Sequence, residues 1–406
     1  MPAYRIFAAA AIAAVLFAPI AAPRPANAAD APIKVALIVG PMGSQTPGNR
    51  SRADGIASWI ASTFPDGSVT VAKAYSPNAT YPKVRAAVAG ANIVGYMGHG
   101  SGYPNPYHNG LLADRNNGWG LNTTTTHGDQ DSWANHTLVY CGEKALKGQL
   151  TSSDGYDQRH YCAGGAIAPA PGFVMVYSGA CYTTGANEPQ NAVATNSDAR
   201  AHVSYFSRPM LQLGASGYFA GNGTAVVEDL LTNPDMSYGD IFNANLPWDL
   251  VGAYELPHQL LAGVKVWLTR ESGGTQWEYA FAGDPARTFN GGTSTYTAPT
   301  GTGDFTAPAA PTRSPAKGAT GVSRVANVVI KFTENVLYAT GHVWLYRGTT
   351  KVSATVTYSA STFTATLNPS STLAAGTKYT VKVNNYIRDA AGNRLTSFSY
   401  TFTTAH

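Results

Sequence analysis

Residues 91–100 read ANIVGYMGHG, a short apolar run that stops abruptly at Gly-His-Gly. Runs of this length bounded by glycine read as buried strands, and the chain on either side has matching pieces. IKVALIVG (33–40) is another such run, and SVTVAKAY (68–75) a third. Between the first two, Ile56, Trp59 and Ile60 recur at the i, i+3, i+4 spacing of an amphipathic helix. YPKVRAAVAG (81–90) reads as a second helix, with Pro82 suited to its first turn and Gly90 to its end. Downstream, FVMVYSGAC (173–181) is a fourth strand, ARAHVSYFSRPMLQLGASG (199–217) contains a helix, and YFAGNG (218–223) is a fifth strand. Strands alternating with helices predict an α/β fold, a parallel sheet covered by helices on both faces. In such sheets ligands bind beyond the carboxyl ends of the strands, which is where His99 and Cys181 stand.

The ends of the chain set its context. Residues 1–28 combine Arg5, a long Ala/Val/Leu/Phe run and the small-x-small triplet Ala26-Asn27-Ala28, the pattern of a cleaved secretory signal peptide. No later segment approaches the roughly 18–20 apolar residues of a membrane span. A secreted protein, extracellular or associated with the cell surface, is therefore expected. Loss of the leader lowers the formal charge from +4 to about +2, which gives no support to nucleic-acid binding.

Three cysteines remain, at positions 141, 162 and 181. In an oxidising compartment pairing is the default, and an odd count leaves one thiol over. Cys141 and Cys162 both lie in the polar stretch between two apolar strands, so the expected bridge joins them. It closes a loop of about 20 residues, worth roughly 3 kcal/mol in the chain-entropy model. Cys181 is then the free thiol.

Composition changes after Asp284-Pro285. Residues 291–306 are rich in Thr, Gly and Pro without periodicity and read as a linker. Residues 307–404 are all-β in pattern, with NVVIKF, HVWLYRG, SATVTYS, TFTATLNP, KYTVKVNN and SYTFTT following at short intervals. Tyr379, Val381 and Val383 alternate with polar residues, the period of a half-buried strand. About seven such strands in roughly 100 residues predict a small immunoglobulin-like sandwich. SPAKGATGV, VVIKFTENV, LNPSSTLAAGTKYTVKV, IRDAAGNRL and FSYTFTT also resemble the bacterial Ig-like domain of S-layer and secreted surface proteins, with Asp389, Gly392 and Asn393 in the turn before the last strand. That resemblance implies a spacer or an attachment unit for the cell envelope.

One apolar strand running into His99-Gly100, and a later one running into Ala180-Cys181, resemble the caspase-fold cysteine peptidases: caspases, legumain, clostripain and gingipains. WEYAFAGDPARTF (277–289) looks like the Gly-Asp-Pro stretch that closes the catalytic domain of gingipain-like peptidases, where an Ig-like module follows. The resemblance spans residues 31–290 and implies that Cys181 is the nucleophile and His99 the acid/base. The substrate would be a protein or peptide, and no cofactor would be required. A thiol is mostly protonated near neutrality, and a neighbouring imidazolium favours the thiolate. Backbone N–H groups of Gly100 and Cys181 would hold the oxyanion if the two strand ends lie side by side. Small residues at Gly98, Gly100, Ser178, Gly179 and Ala180 would let a substrate backbone approach.

Other readings stand beside this one. Compared with a compact family member, the stretch 101–171 between the two motifs is an excess, a lid over the site or an elaborated surface. Its His108, His127, His136 and His160, with Asp129, Asp131 and Asp154, follow no zinc-ligand motif such as His-Glu-x-x-His. DQDSWANH (129–136) has closely spaced oxygens suited to a structural calcium ion but lacks a full binding-loop pattern. Asp154, Asp157 and Glu188 flank the proposed nucleophile in sequence and would favour a basic P1 residue if they line its pocket, as in gingipains and clostripain. A buried structural Cys181 would instead leave a non-enzymatic surface or adhesion protein on a peptidase-like scaffold.

Overall fold

The computed structural model describes residues 31–108, 110–246, 250–271 and 276–406; the expected signal peptide, residues 1–28, lies outside them. The chain builds β1 (Ile33–Val39), α1 (Thr46–Thr63), β2 (Val69–Tyr75), α2 (Tyr81–Val88) and β3 (Ile93–Met97). β4 (Trp119–Asn122), β5 (Leu138–Cys141), α3 (Glu143–Leu146) and α4 (Tyr156–Tyr161) follow. Then come β6 (Val174–Tyr177), α5 (Asn196–Gln212), β7 (Gly217–Ala220), α6 (Gly223–Thr232) and α7 (Tyr238–Ala244). Last in this part are β8 (Leu250–Pro257), β9 (Lys265–Glu271) and β10 (Trp277–Gly283).

Eight strands form one sheet in the order β2-β1-β3-β6-β7-β10-β9-β8. The first five are parallel, as the strand–helix alternation predicts. Successive strand residues point to opposite faces. Val35 and Leu37 of β1 pack with Ile56 and Ile60 of α1 and with Leu230 and Ile241 of α6 and α7. Ala36 and Ile38 face the other way, toward Tyr81 and Val84 of α2 and Val203 and Phe206 of α5. Both faces are thus covered. The antiparallel edge β10-β9-β8 departs from the all-parallel expectation. Residues 258–264 and 272–276 are too few to carry the crossover a parallel pair needs, so these strands run back and forth.

The stretch 101–171 is a folded insertion. β4 and β5 pair antiparallel, and Cys141 at the end of β5 is bridged to Cys162 after α4, with Cα atoms 5.4 Å apart. Trp119 anchors the insertion to the sheet: fully buried, it stacks on Tyr96 and donates from Nε1 to the Tyr177 hydroxyl at 2.9 Å.

The C-terminal region is a sandwich of two four-stranded sheets. One has the order β11 (Thr312–Ser314), β12 (Val328–Lys331), β16 (Thr364–Pro369), β15 (Ala354–Ser359). The other has β14 (Thr350–Lys351), β13 (Val343–Arg347), β17 (Lys378–Val383), β18 (Phe398–Thr403). Residues 291–306 contain no strand or helix, yet they are tied down. Phe305 is buried against Tyr254 and Trp277, and Tyr296 packs on Trp267. The turn before β18 also meets the first part of the molecule. Asn393 accepts from the Ser197 N–H at 2.8 Å and donates to the Asp304 carbonyl at 3.0 Å. Gly392 makes this turn at φ +89°, where a side chain is strained.

Candidate active site

β3 and β6 are neighbours, so the residues just past their ends meet above the sheet. A methyl group on Gly100 would lie 2.4 Å from the Cys181 carbonyl oxygen, and one on Gly102 would lie 2.4 Å from Tyr182 Cβ. Segments 99–102 and 180–182 therefore run in backbone contact, and glycine is what permits it. Among the described residues, the N–H groups of Gly100 and Cys181 donate to no other backbone carbonyl. The Cys181 segment is also strained: Tyr182, fully buried, holds φ +69° directly after Cys181. A non-glycine residue there costs on the order of 1 kcal/mol and persists only where its surroundings impose it.

His99 is held from several sides. Its carbonyl accepts from Gly120 N–H at 3.0 Å and from the Tyr96 hydroxyl at 2.8 Å. Its ring Nε2 lies 3.0 Å from Oδ2 of Asp131. The side chains of both are about one-third exposed, at 30% and 36%. With Nε2 turned to the carboxylate, Nδ1 is the ring nitrogen without a hydrogen-bond partner among the described residues. Asp131 comes from the insertion, from the loop between β4 and β5. That loop is fixed in turn by its neighbour Asp129, whose carboxylate takes both guanidinium nitrogens of Arg50 at 2.8 and 2.9 Å.

Cys181 is the free thiol and is partly buried. Burial pushes it up to about 11, the Glu188 carboxylate pushes in the same direction, and its own backbone N–H opposes them weakly. Among the described residues no hydrogen bond joins this thiol to His99. The resting site therefore holds a neutral thiol. Glu188 accepts from the Tyr182 hydroxyl at 3.2 Å and, on its other oxygen, from Tyr107 at 2.9 Å.

The remaining candidates scatter. Asp154 is bound to Lys144 at 2.6 Å and Asp157 to His136 at 2.9 Å; of the three acids flanking Cys181 in sequence, Glu188 is the one whose charge raises its thiol. His108 donates from Nδ1 to the Gly110 carbonyl of its own turn at 2.6 Å, and His160 stacks on Tyr156. Asp129 and Asp131, the acids of the calcium-like stretch, are engaged by Arg50 and His99. Among the described residues, the acid and histidine side chains close enough to share one ion are Asp304, Glu334 and Asp389, far along the chain. Sequence reasoning missed the pairing of Asp131 with His99. The acid was visible in DQDSWANH, but no spacing rule links it to a histidine 32 residues earlier.

Comparison with known proteins reaches the C-terminal region. Residues 304–404 match the family model of the bacterial Ig-like domain, three residues earlier than the boundary expected from composition. No curated protein matches the chain. Among solved structures, the chain is similar to the S-layer protein SbsC at 23% identity, over 25% of this chain and 14% of that one, with a TM-score of 0.20. It is similar to CopC from Methylosinus trichosporium OB3b at 21% identity, over 24% and 93%, with a TM-score of 0.22. An L,D-transpeptidase from Mycobacterium smegmatis matches at 17% identity, over 25% and 41%, with a TM-score of 0.19. The chain spans about a seventh of the S-layer protein's length. No helix among the described residues is long and apolar enough to cross a membrane. Residues 304–404 thus form a bacterial Ig-like domain, attached to a mixed α/β domain built on a parallel-rich sheet.

Proposed function

We propose that the chain is an exported cysteine endopeptidase of the caspase-like, gingipain-like type, carrying an Ig-like module that attaches it to the cell envelope. The observation that carries this reading is the backbone contact between the His99-Gly100 and Ala180-Cys181 segments, with the imidazole oriented by Asp131. In the proposed reaction Nδ1 of His99 takes the Cys181 proton as Sγ attacks the scissile carbonyl carbon. The tetrahedral oxyanion is held by the N–H groups of Gly100 and Cys181. Collapse breaks the C–N bond, and His99 returns the proton to the departing amine. A water molecule, deprotonated by the same ring, then hydrolyses the thioester and restores the thiol.

A thiol raised to about 11 requires proton transfer during attack rather than a standing thiolate–imidazolium pair. Glu188, the carboxylate acting on that thiol, supports a preference for Arg or Lys at P1. The same raised thiol favours the alternative, a non-enzymatic surface protein on a peptidase-like scaffold. A peptidyl acyloxymethyl ketone separates them. Labelling of Cys181 that disappears in His99→Ala supports the peptidase; equal labelling of both proteins, or none, leaves the scaffold reading.

A further inference from the structure

The ten Lys and Arg residues of the Ig-like domain face only three acids, Asp304, Glu334 and Asp389. Those three lie with carboxylate oxygens within 4.8 Å of one another, beside the turn that docks on α5. The rest of the domain's surface carries cations and no carboxylate. Its formal charge is +7, whereas residues 1–303 sum to −3.

One face of this domain combines charge with rings. On the sheet β14-β13-β17-β18, Val343, Leu345, Tyr379 and Val381 point into the core, so the alternate residues point out. Trp344 and Tyr346 stand on that outer face, opposite Lys382 and Thr380 in register. Lys382 Nζ lies 4.6 Å from the Tyr346 ring centre and Lys351 Nζ 5.7 Å from that of Trp344. His342 extends the strip, edge-on to Trp344 and stacked on Tyr386, which is 61% exposed. The outward neighbours on β18 are Ser399, Thr401 and Thr403, hydroxyls with no aliphatic side chain among them.

We propose that this face binds an anionic polysaccharide of the cell envelope. The rings offer flat surfaces for the C–H faces of sugars, the hydroxyl row offers donors and acceptors for a polyol, and the lysines meet carboxylates or phosphates along the polymer. Lysine is depleted in the cores of protein–protein interfaces, whereas here lysines stand among the rings, and the +7 charge of the domain complements a polyanion. The proposal deepens the envelope-attachment part of the functional reading and does not depend on the peptidase chemistry.

The test uses the full mature chain in affinity electrophoresis through gels containing polygalacturonate, neutral dextran or single-stranded DNA. Polygalacturonate should retard the protein, and less so as salt rises. Lys351→Glu with Lys382→Glu should weaken retardation roughly tenfold, as expected for reversing two contact charges. Trp344→Ala should weaken it at unchanged net charge. Lys83→Glu with Lys331→Glu, the same charge change on α2 and on β12 of the opposite sheet, should leave it near wild type. Equal retardation by dextran, tighter binding of DNA, or equal effects of the two double variants would overturn the proposal. Binding to isolated envelopes without retardation by polygalacturonate sinks this inference and leaves attachment standing; binding to neither sinks both.

Discussion

Nε2 of His99 and Oδ2 of Asp131 lie 3.0 Å apart, although one residue ends a core strand and the other sits in the inserted loop beyond it. The insertion therefore does more than pack on the central strands through Trp119. It supplies the carboxylate that holds Nε2 of His99.

Asp131→Asn keeps the shape of the side chain and removes its charge. If the carboxylate orients His99, peptide turnover should fall by on the order of 100-fold. KM should change little. A variant with wild-type turnover would reduce the pair to a surface contact.

Gly100→Ala places a methyl group 2.4 Å from the Cys181 carbonyl oxygen, a backbone atom that cannot swing aside. The two strand ends must separate. We expect a loss of about 1–3 kcal/mol in stability, as for other overpacked sites, together with loss of ketone labelling. Chemical denaturation and probe labelling measure the two effects. Retained stability and labelling would show that the contact is not required.

The thiol of Cys181 gives a pH test with a definite sign. With its titration pushed up to about 11, the rate of iodoacetamide alkylation should still be climbing above pH 9. Glu188→Gln removes a negative charge that opposes thiolate formation, so the profile should move to lower pH. The same variant should lose any preference for Arg or Lys at P1. An unchanged alkylation profile would remove Glu188 from the neighbourhood that matters.

Trp119→Phe keeps an aromatic stack on Tyr96 but deletes the Nε1 donor to the Tyr177 hydroxyl. Leaving that buried hydroxyl short of a partner should cost about 1–3 kcal/mol. Because Trp119 ties the insertion to the sheet, His99 reactivity should fall along with stability. Thermal unfolding and diethyl pyrocarbonate modification of His99 would measure both.

Much of the architecture was legible because it rests on local periodicity. The apolar runs at 33–40 and 91–100 become β1 and β3, and the i, i+3, i+4 pattern around Ile56 becomes the inward stripe of α1. The Cys141–Cys162 bridge followed from an odd cysteine count and the company each thiol keeps. The antiparallel edge β8–β10 was not expected, since hydrophobic runs carry no information about strand direction; the short connections do.

By itself, the sequence determined the strand–helix alternation, the position of His99 and Cys181 after their strands, and the alternating core of the Ig-like domain. These depend on neighbours a few residues apart. The tertiary structure alone decided that Asp131 reaches His99, that Glu188 rather than Asp154 or Asp157 acts on the thiol, and that three acids of the Ig-like domain gather at one end. Each of those facts depends on where loops cross in space, and charge and hydrogen bonding act through distance rather than along the chain.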